Sequence, residues 1–412
     1  MRDATRPTCA TTHDPAQIMR AGVAPPPPPV VYLAPNRWHG PRQRTQHVAR
    51  GLARTRSVLF VEPAAYSMPG VLRRRLAGTR DEPILGRVER VSDALTIYTP
   101  PATVPGNLRL RALNTLAHSL AWRHLRRSVP GVTAGPVDVV VGWPPAFELA
   151  RRMRPRRLIY DCLDLFPSFA GGMRGRLLAA MERDLSRAAF AVAVTSRDLE
   201  RRWSTRHPRV VRIPNGVEID LFGAAQASLE TPPELARLPR PRLGYVGTVG
   251  HWLDMALLKH VAEQRPQWPI AVVGPVEPGA SPSSLPPNLT LLGERPYASL
   301  PAYLAAMDVL LIPFRLMDLT HAVNPIKLYE YCAIGKPIVS TPIAEVVAEG
   351  GLCHVGAATG PFLEAVDAAV LEAERPDPAR IAARRAVARE SSWDGRVAEF
   401  ESLLAEAVEA ST

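Results

Sequence analysis

Short apolar runs alternate with amphipathic stretches along the first half of the chain. Runs of strand length occupy six ranges: 30–34, 57–62, 137–143, 157–164, 190–196 and 209–214. Stretches with helical periodicity lie between most of them, for example over residues 43–54 and 174–188. Strands that are apolar on both faces are typical of a parallel sheet covered by helices on each side. The pattern therefore predicts an α/β domain, to which the segment 85–99, ending in the alternating run LTIYT, is expected to add an antiparallel strand.

The same alternation restarts after a proline-rich connection over residues 223–241. Its apolar runs occupy 242–247, 269–274, 289–293, 309–314, 337–341 and 352–356. Two such units predict two facing Rossmann-like domains, at 30–222 and 242–390, with parallel sheets and an interdomain cleft. Residues 391–412 form a predicted C-terminal helix that we expect to pack back on the first domain. Residues 1–29 end in five consecutive prolines and are expected to form a disordered leader.

Composition narrows the class of protein. Hydrophobic residues make up 46% of the 412 residues, enough for two domains with cores of their own. No uncharged apolar run approaches the ~20 residues of a membrane-spanning helix, and the N-terminal stretch lacks the apolar core of a secretory signal. Cys9, Cys162, Cys332 and Cys353 show no CxxC pairing, which argues against a disulfide framework or a zinc site. We therefore expect a cytoplasmic protein.

The charged residues are distributed unevenly. Residues 30–222 hold 32 arginines and 15 acidic residues, a net charge of +17, whereas residues 223–412 carry a net charge of −7. An arginine-rich codon usage acts on both halves alike and does not explain this split. The asymmetry predicts an anionic partner for the first half, either a lipid-linked or otherwise anionic acceptor or the inner face of the plasma membrane. Scattered arginines that only solvate the surface are the alternative.

The sharpest local pattern is the segment 324–341, which reads NPIKLYEYCAIGKPIVST. It follows an apolar run and predicts a helix that begins near Pro325, a residue favoured in the first turn. The free N–H groups and the dipole of a helix N-terminus attract phosphate, and Lys327 adds a full charge beside the same anion. Glu330, three residues on, lies on the same face and is suited to accept hydrogen bonds from ribose hydroxyls. The spacing fits a nucleoside diphosphate, and an ordinary surface Lys–Glu pair is the alternative.

A glycine-containing turn opens the second domain at 245–254, YVGTVGHWLD. Gly247 and Gly250 allow the backbone to approach a ligand closely at a turn from strand to helix. We expect His251 to point into the cleft and to hydrogen-bond a donor phosphate or sugar. A tight turn without a ligand is the alternative for the glycines.

These motifs resemble those of the group 1 glycosyltransferases, a family of GT-B fold. The resemblance rests on Pro-x-Lys-x-x-Glu followed by Gly-Lys-Pro, on the turn at 245–254, on PNGV at 214–217 and on the approach LGERPYASLPAYLAAMDVLLIP at 292–313. It covers nearly the whole chain from residue 30, and within the family it is nearest to enzymes of cell-surface polysaccharide assembly of the teichuronic-acid type.

The resemblance implies transfer of a hexose from a nucleoside-diphosphate sugar, without a metal or other cofactor. It places Tyr297, in the loop from Arg295, against the nucleotide base, and Asn324 at the entrance of the donor helix. One position departs from the family pattern. Many retaining members have a second glutamate eight positions before the one equivalent to Glu330, and Ala322 occupies that position here. Their stereochemical outcome is therefore not carried over to this chain.

Two stretches of the first domain supply candidates for the acceptor side. The segment NRWHGPRQR at 36–44 follows the first strand, and its Arg42 and Arg44 are suited to hold an anionic group, with plain surface arginines as the alternative. Asp161 and Asp164 lie at the end of the run 157–164. Residues three apart in a strand point to opposite faces, so we expect one to act as general base on an acceptor hydroxyl and the other to cap the next helix. We favour Asp161 as the base.

Three other functions compete with glycosyl transfer. A nucleotide-sugar epimerase on the same architecture would have no distinct acceptor and no need of a basic first domain. A nucleic-acid-binding module would need aromatic residues interleaved with its basic clusters, which these clusters lack, so nucleic acid is not an expected partner. A relative that binds nucleotide without transferring sugar remains open because of Ala322.

Overall fold

The computed structural model describes residues 27–63, 86–102, 109–133, 135–223 and 229–406, together with residues 72 and 76. Residues 1–26 of the predicted leader, the arginines at 73–75 and residues 224–228 of the predicted connection lie outside the described residues.

Fourteen strands, numbered in chain order over the described residues, form two sheets. In the first domain they are β1 (Val30–Leu33), β2 (Val58–Val61), β3 (Arg87–Arg90), β4 (Leu95–Thr99), β5 (Asp138–Val141), β6 (Arg157–Cys162), β7 (Ala191–Val194) and β8 (Val210–Arg212). In the second they are β9 (Leu243–Val246), β10 (Ile270–Val273), β11 (Leu289–Gly293), β12 (Val309–Ile312), β13 (Ile338–Ser340) and β14 (Cys353–Val355).

Sixteen α-helices cover these sheets in the same part of the chain. They are α1 (Arg44–Leu52), α2 (Arg111–Ser128), α3 (Pro130–Thr133), α4 (Phe147–Met153), α5 (Gly172–Ala188), α6 (Arg197–Ser204), α7 (Ile219–Phe222), α8 (Pro233–Ala236), α9 (Met255–Gln264), α10 (Leu300–Ala306), α11 (Asp318–His321), α12 (Ile326–Ile334), α13 (Ala344–Ala348), α14 (Thr359–Glu374), α15 (Pro378–Glu390) and α16 (Trp393–Ala405). Short 3₁₀ helices span Pro144–Ala146, Phe166–Phe169 and Tyr297–Ser299.

Both sheets are parallel apart from one edge strand. The first has the order β3-β4-β2-β1-β5-β6-β7-β8 and the second β11-β10-β9-β12-β13-β14. Only β3 is antiparallel, and it pairs with β4, as the alternation over 85–99 predicted. Each apolar run of the sequence analysis contains one of the parallel strands. The expected α/β architecture of two Rossmann-like domains is therefore confirmed.

The first sheet is apolar on both faces because each face has a core of its own. In β1, Val31 and Leu33 pack in one cluster of buried residues, while Val30 and Tyr32 pack in the other. The second cluster also contains Phe400 of α16, so the C-terminal helix lies against the first domain. Gly51 marks this contact, since a Cβ atom there would lie 2.3 Å from a methyl group of Val397.

The chain passes between the two domains twice, near Val217 and near Ser391, and the two segments lie side by side. The amide of Val217 donates to the carbonyl of Ser391 (2.9 Å), and the amide of Trp393 donates to the carbonyl of Val217 (3.2 Å). Val217 and Phe222 belong to the core of the second domain, although the sequence placed the end of the first domain at residue 222. The reason is that the chain already packs against the second domain from Val217 onward, before the proline-rich stretch begins. In the described part of the chain, no helix is both long enough and apolar enough to cross a bilayer.

Candidate active site in the interdomain cleft

A cleft of about 920 Å³ lies between the two domains at the carboxyl ends of their strands. The first domain contributes the segment after β1 and the residues that follow β5 and β6. The second contributes the turns after β9 and β10, the loop before α10, and the start of α12. Ligands of parallel α/β sheets bind at this edge, so both domains present their binding loops to one space.

The side of the cleft that the second domain forms is built around α12. The helix begins after Pro325 and ends at Gly335, whose φ of 82° is the left-handed conformation that glycine adopts without strain. Lys327 and Glu330 both line the cleft. Neither side chain has a hydrogen bond or an ion pair with another described residue. Lys327 instead places its Nζ 4.9 Å from the ring centroid of Phe314 and 5.2 Å from that of Tyr245.

Burial works against the charge of both side chains. Loss of solvent lowers the pKa of Lys327, and the nearby Glu330 carboxylate partly offsets this shift. Loss of solvent also raises the pKa of Glu330, with the Lys327 ammonium acting in the opposite direction. An anion beside Lys327 and hydroxyl groups beside Glu330 would restore the interactions that burial has removed.

Gly247 brings the turn after β9 into contact with Lys327. Its φ is +148°, and a Cβ atom at this position would lie 3.0 Å from both Lys327 Nζ and the Tyr245 hydroxyl. Gly274, after β10, has the same φ, and its Cβ would lie 2.1 Å from the carbonyl oxygen of Gly247. Both line the cleft. The sequence analysis missed Gly274, although a glycine directly after a buried strand was the signal that identified Gly247.

Gly250 and His251 have roles other than the expected ones. A Cβ atom on Gly250 would lie 2.5 Å from the ring of Trp252, so the glycine makes room for that indole. His251 is exposed and is not among the residues that line the cleft. Its ring contacts Trp252 edge-on, at 5.1 Å between centroids, and Trp252 lines the cleft in its place. The expectation that His251 points into the cleft is therefore corrected.

Tyr297 lies in the cleft wall, between the two domains. Arg42 of the first domain sits over its ring, with Cζ 4.6 Å from the centroid. The Tyr297 hydroxyl is buried without a hydrogen-bond partner among the described residues, and burial raises its pKa far above the usual value. Arg42 also forms an ion pair with Glu218 at 3.0 Å. Arg42 thus faces the cleft, but protein groups already engage its guanidinium.

Asn324 connects the start of α12 to its surroundings. It is 1% exposed, and its Nδ2 donates to the Tyr329 hydroxyl (2.8 Å) and to Glu345 Oε2 (3.2 Å). Its Oδ1 accepts from the amide of Asn215 (3.0 Å). Because the protein uses the whole amide group, Asn324 positions the loop that carries Lys327.

Arg44 and Asp161 form a buried ion pair inside the first domain. Arg44 Nε lies 3.2 Å from both carboxylate oxygens of Asp161, and its NH2 group lies 3.1 Å from Oδ1. The Tyr32 hydroxyl donates to the same carboxylate, and Arg44 also donates to the carbonyl of Pro214 at 3.0 Å. Asp161 is fully buried and does not line the cleft. This geometry corrects two expectations, because neither Asp161 as a base nor Arg44 as an anion holder is free to meet an acceptor.

Asp164 is the carboxylate at the end of β6 that lines the cleft. It is not the N-cap of either following helix, since the N-cap residues of Phe166–Phe169 and of α5 are Leu165 and Gly171, and neither helix has a side-chain cap. Asp164 has no ion pair in the described part of the chain, and burial raises its pKa to about 7. A carboxylate with such a pKa is suited to accept a proton near neutral pH. Of the two aspartates, Asp164 is the one that lines the cleft.

Ala322 stands at the position of the absent glutamate and is fully buried. Its side chain packs in a core cluster of the first domain, and its carbonyl accepts a hydrogen bond from Ser196 Oγ at 2.6 Å. The loop before α12 is therefore an interdomain contact at this point. Within the described ranges, no group of three or more His, Cys, Asp or Glu side chains is placed to hold a metal ion.

Comparison with known proteins relates this geometry to a family. The family model described as glycosyl transferases group 1 matches residues 240–373, which contain Gly247, Lys327 and Glu330. Sucrose-phosphate synthase from Thermosynechococcus elongatus superposes with a TM-score of 0.68 at 13% identity, covering 91% of this chain and 98% of its own. HepE from Anabaena, in complex with UDP and glucose, superposes with a TM-score of 0.61 at 14% identity, covering 92% and 99% of the two chains. The chain has the GT-B fold and resembles the group 1 glycosyltransferases.

One curated relative is similar in sequence. It is TuaH of Bacillus subtilis (strain 168), named as a teichuronic acid biosynthesis glycosyltransferase, with 27% identity over 203 residues. The aligned part covers 45% of this chain and spans half the length of that relative. The family model matches the second domain. The first domain, which contributes Asp164, lies on the other side of the cleft.

Proposed function

We propose that this protein is a glycosyltransferase that moves a sugar from a nucleoside-diphosphate sugar to an acceptor. The observation that carries the proposal is the pair Lys327 and Glu330. Both are charged groups that burial disfavours, both line the cleft, and neither forms a hydrogen bond or an ion pair with a described side chain. A nucleoside diphosphate supplies the phosphate charge and the ribose hydroxyls that such a pair would bind.

The donor nucleotide occupies the second domain in this proposal. Its diphosphate lies between the turn at Gly247 and the start of α12, where Lys327 and the first free N–H groups of the helix balance the negative charge. Glu330 accepts hydrogen bonds from the ribose. Because HepE is described in complex with UDP, UDP is the first nucleotide to test.

The acceptor approaches from the first domain. A hydroxyl oxygen of the acceptor bonds to the anomeric carbon of the donor sugar, and its proton passes to the Asp164 carboxylate. The bond from the anomeric carbon to the β-phosphate oxygen breaks, and the nucleoside diphosphate leaves with the electron pair. Lys327 and the dipole of α12 stabilise this developing charge, so the reaction as proposed uses neither a metal nor another cofactor.

The finer assignment concerns the acceptor and the location. We place the enzyme, as a hexosyltransferase, in the synthesis of cell-envelope or surface polysaccharide or glycolipid, at the cytoplasmic face of the plasma membrane. The net charge of +17 over residues 30–222 supports a lipid-linked or otherwise anionic acceptor and an anionic membrane surface. The similarity to TuaH, whose name refers to teichuronic acid biosynthesis, points in the same direction.

The test is nucleotide binding, measured by calorimetry for the wild type and for Lys327→Ala and Glu330→Ala. Each substitution should weaken UDP binding by roughly 1.5–3 kcal/mol, because each removes a charge-assisted contact. Lys259→Ala, a lysine of α9 that does not line the cleft, is the matched control and should leave affinity unchanged. If UDP and the other nucleoside diphosphates bind equally well to wild type and both cleft variants, this donor site is wrong.

A further inference from the structure

A second group of side chains lines the cleft on the side of the first domain, away from the donor helix. Trp143 follows β5 and is half-buried, Phe166 follows β6, and Asp164 lies just before it. The rings of Trp143 and Phe166 meet edge-on, with centroids 5.3 Å apart and planes at 78°. The amide of Phe166 donates to the carbonyl of Asp164 at 2.9 Å. The three residues therefore line the same side of the cleft and are linked to one another through the two rings and through the backbone.

The electrostatics of this wall differ from those of the rest of the first domain. Burial is the cause of the raised Asp164 pKa, and no described arginine forms an ion pair with its carboxylate. The arginines nearest the cleft are engaged elsewhere. Arg42 pairs with Glu218, Arg44 pairs with Asp161, and Arg50 lies over the ring of Trp38 at 4.6 Å. Once Asp164 has lost its proton, an anionic group beside it would therefore meet a second carboxylate that no described arginine or lysine pairs with.

We propose that Trp143, Phe166 and Asp164 form the acceptor subsite and that it accepts an uncharged sugar ring. The proposal rests on the proposed glycosyl transfer and names the class of its acceptor. The apolar face of the sugar stacks on the Trp143 indole, which Phe166 holds in place, and one ring hydroxyl reaches the Asp164 carboxylate. Aromatic side chains bind amphipathic rings in this way, with apolar area from the face and polar contacts at the edge.

This assignment separates two properties of the acceptor. The basic surface of the first domain attracts an anionic carrier or membrane, whereas the ring that receives the sugar is neutral. An acceptor with a phosphate or a lipid at a distance from the reacting ring satisfies both conditions. An acceptor whose reacting ring is a uronic acid does not.

Saturation-transfer difference NMR on the full-length protein tests the subsite, with methyl glycosides of glucose, galactose and N-acetylglucosamine as neutral probes and methyl glucuronide as the anionic one. Spectra are recorded with and without saturating UDP. We expect ring-proton signals for at least one neutral glycoside and much weaker signals for the glucuronide. Trp143→Ala should weaken the neutral signal roughly fivefold to tenfold, the effect of losing one aromatic contact, and Trp143→Phe should weaken it less. Trp268→Phe, which changes a half-buried tryptophan outside the cleft, is the control.

Several outcomes would overturn the subsite. They are binding of the glucuronide as strong as that of the neutral glycosides, no binding of any neutral glycoside to the wild type, and neutral signals that both Trp143 variants leave intact. If Trp143→Ala does not fold, the comparison of Trp143→Phe with Trp268→Phe decides. UDP affinity should be the same in all Trp143 variants. If the wild type does not bind UDP, only the proposed donor site is contradicted, because the glycoside signals recorded without UDP still test the acceptor subsite.

Discussion

Asn215 and Asn324 hold each other across the boundary between the two domains. The amide of Asn215 donates to Asn324 Oδ1 at 3.0 Å, and Asn215 Nδ2 donates to the carbonyl of Asn324 at 2.5 Å. Asn324 lies three residues before Lys327, so this contact fixes the start of α12 against the first domain. Nearby, Arg197 donates to Glu345, which also accepts from Asn324. The position of the donor lysine therefore depends on both domains.

Substitution of Asn324 by alanine tests this dependence. The change leaves the buried amide of Asn215 without its acceptor and removes the bonds to Tyr329 and Glu345. We expect the free energy of unfolding to fall by about 2–3 kcal/mol, because unsatisfied buried polar groups keep their desolvation penalty. We also expect weaker nucleotide binding, since Lys327 loses its support. Urea denaturation and calorimetry with UDP measure the two effects.

Asn288→Ala is the matched control for Asn324→Ala. Asn288 is also a structural asparagine, and its Nδ2 donates to the carbonyls of Ala262, Arg265 and Trp268 in the second domain, away from the cleft. It should lower stability by a similar amount and leave the dissociation constant of UDP unchanged. Equal affinity losses in the two variants would show that the Asn215–Asn324 contact has no specific effect on the donor site.

Asp161 and Asp164 should respond in opposite ways to the same substitution. Asp161→Asn leaves the buried guanidinium of Arg44 without its counter-charge, and we expect the free energy of unfolding to fall by about 3–5 kcal/mol. Asp164→Asn breaks no ion pair of the described residues and should leave the fold intact while lowering the rate of transfer by about 10²–10⁴-fold. Urea denaturation and a transfer assay on both variants check this pair. A stable, inactive Asp161→Asn together with an active Asp164→Asn would restore the assignment made from the sequence.

The sequence did not correctly predict which of the two aspartates, Asp161 or Asp164, lines the cleft. Strand alternation predicted that Asp161 and Asp164 face opposite sides, but β6 ends at Cys162, and Asp164 lies beyond the strand. The alternation contained no information on which side faces the cleft, because that depends on Tyr32, Arg44 and the segment after β1. Arg44 was likewise expected to hold an anionic group on the acceptor side, although it is 3% exposed and its guanidinium is paired with Asp161. Whether a charged residue forms a buried ion pair depends on tertiary packing, which the local sequence pattern does not contain.

The fold itself was accessible from the sequence because its signals are local and repeated. Each apolar run contains one strand of the structure, and α12 ends at Gly335 in the left-handed conformation that glycine adopts without strain. His251 and Gly250 were misassigned for a different reason. A glycine-rich turn has the same sequence pattern whether the glycine lies against a cleft side chain, as Gly247 does at Lys327, or makes room for an indole, as Gly250 does for Trp252.

The pH dependence of transfer should report on Asp164 and Lys327. Burial raises the pKa of Asp164 to about 7, so the value of kcat/KM should rise as pH increases through 7 and the carboxylate loses its proton. It should fall again at higher pH as Lys327, whose pKa is lowered by burial, loses its charge. Asp164→Asn should remove the rising limb and lower the rate by about 10²–10⁴-fold, the usual contribution of a general base. A rising limb that persists in Asp164→Asn would assign it to another group.

The free energy of unfolding should also depend on pH through the Asp164 carboxyl group, and it should decrease as pH rises. The folded state holds the Asp164 proton more tightly than the unfolded chain, in which the pKa is near 3.8. The resulting contribution is therefore present in acid and is lost as pH rises from about 4 through 7. Compared with wild type, Asp164→Asn should gain stability at pH 8 relative to pH 5. Urea denaturation at the two pH values measures this difference, and an equal offset at both would contradict the raised pKa.

Transfer should not require a divalent metal. The charge of the leaving diphosphate is balanced in our proposal by Lys327 and by the start of α12. Activity should therefore be unchanged after exhaustive treatment with EDTA and removal of the chelator by gel filtration. Loss of activity with rescue by magnesium or manganese would contradict the proposal, and Lys327→Ala, which should be inactive with or without metal, serves as the control.

Helix α2 offers a surface through which the first domain should bind an anionic membrane. Leu116 and Leu120 are each 47% exposed, and Arg123 and Arg127 continue the same face at helical spacing. Neither arginine pairs with a carboxylate in the part of the chain that the structure describes. Exposed leucines beside unpaired arginines are typical of helices that lie in the membrane interface, where apolar side chains enter the headgroup region and cations meet anionic lipid.

Sedimentation with vesicles measures this binding. The protein should pellet with vesicles that contain phosphatidylglycerol and remain in solution with pure phosphatidylcholine. Arg123→Gln/Arg127→Gln should weaken binding by roughly 2 kcal/mol, because each basic residue near an anionic surface contributes about 1 kcal/mol. Arg375→Gln/Arg389→Gln changes the net charge equally in the second domain, where both residues are exposed, and should have no effect.

Two further measurements, the salt dependence and a variant of the exposed leucines, distinguish binding through α2 from general electrostatic attraction to the membrane. Binding should weaken steeply with salt, since the Debye length falls from about 10 Å at 0.1 M to about 3 Å at 1 M. Leu116→Gln/Leu120→Gln keeps every charge and should still weaken binding, because it removes the apolar area that enters the interface. If this variant binds like the wild type while the arginine variant does not, the attraction is electrostatic alone and α2 does not insert. If both variants bind like the wild type, α2 is not the membrane-binding surface, and the excess charge of the first domain must be sought on another face.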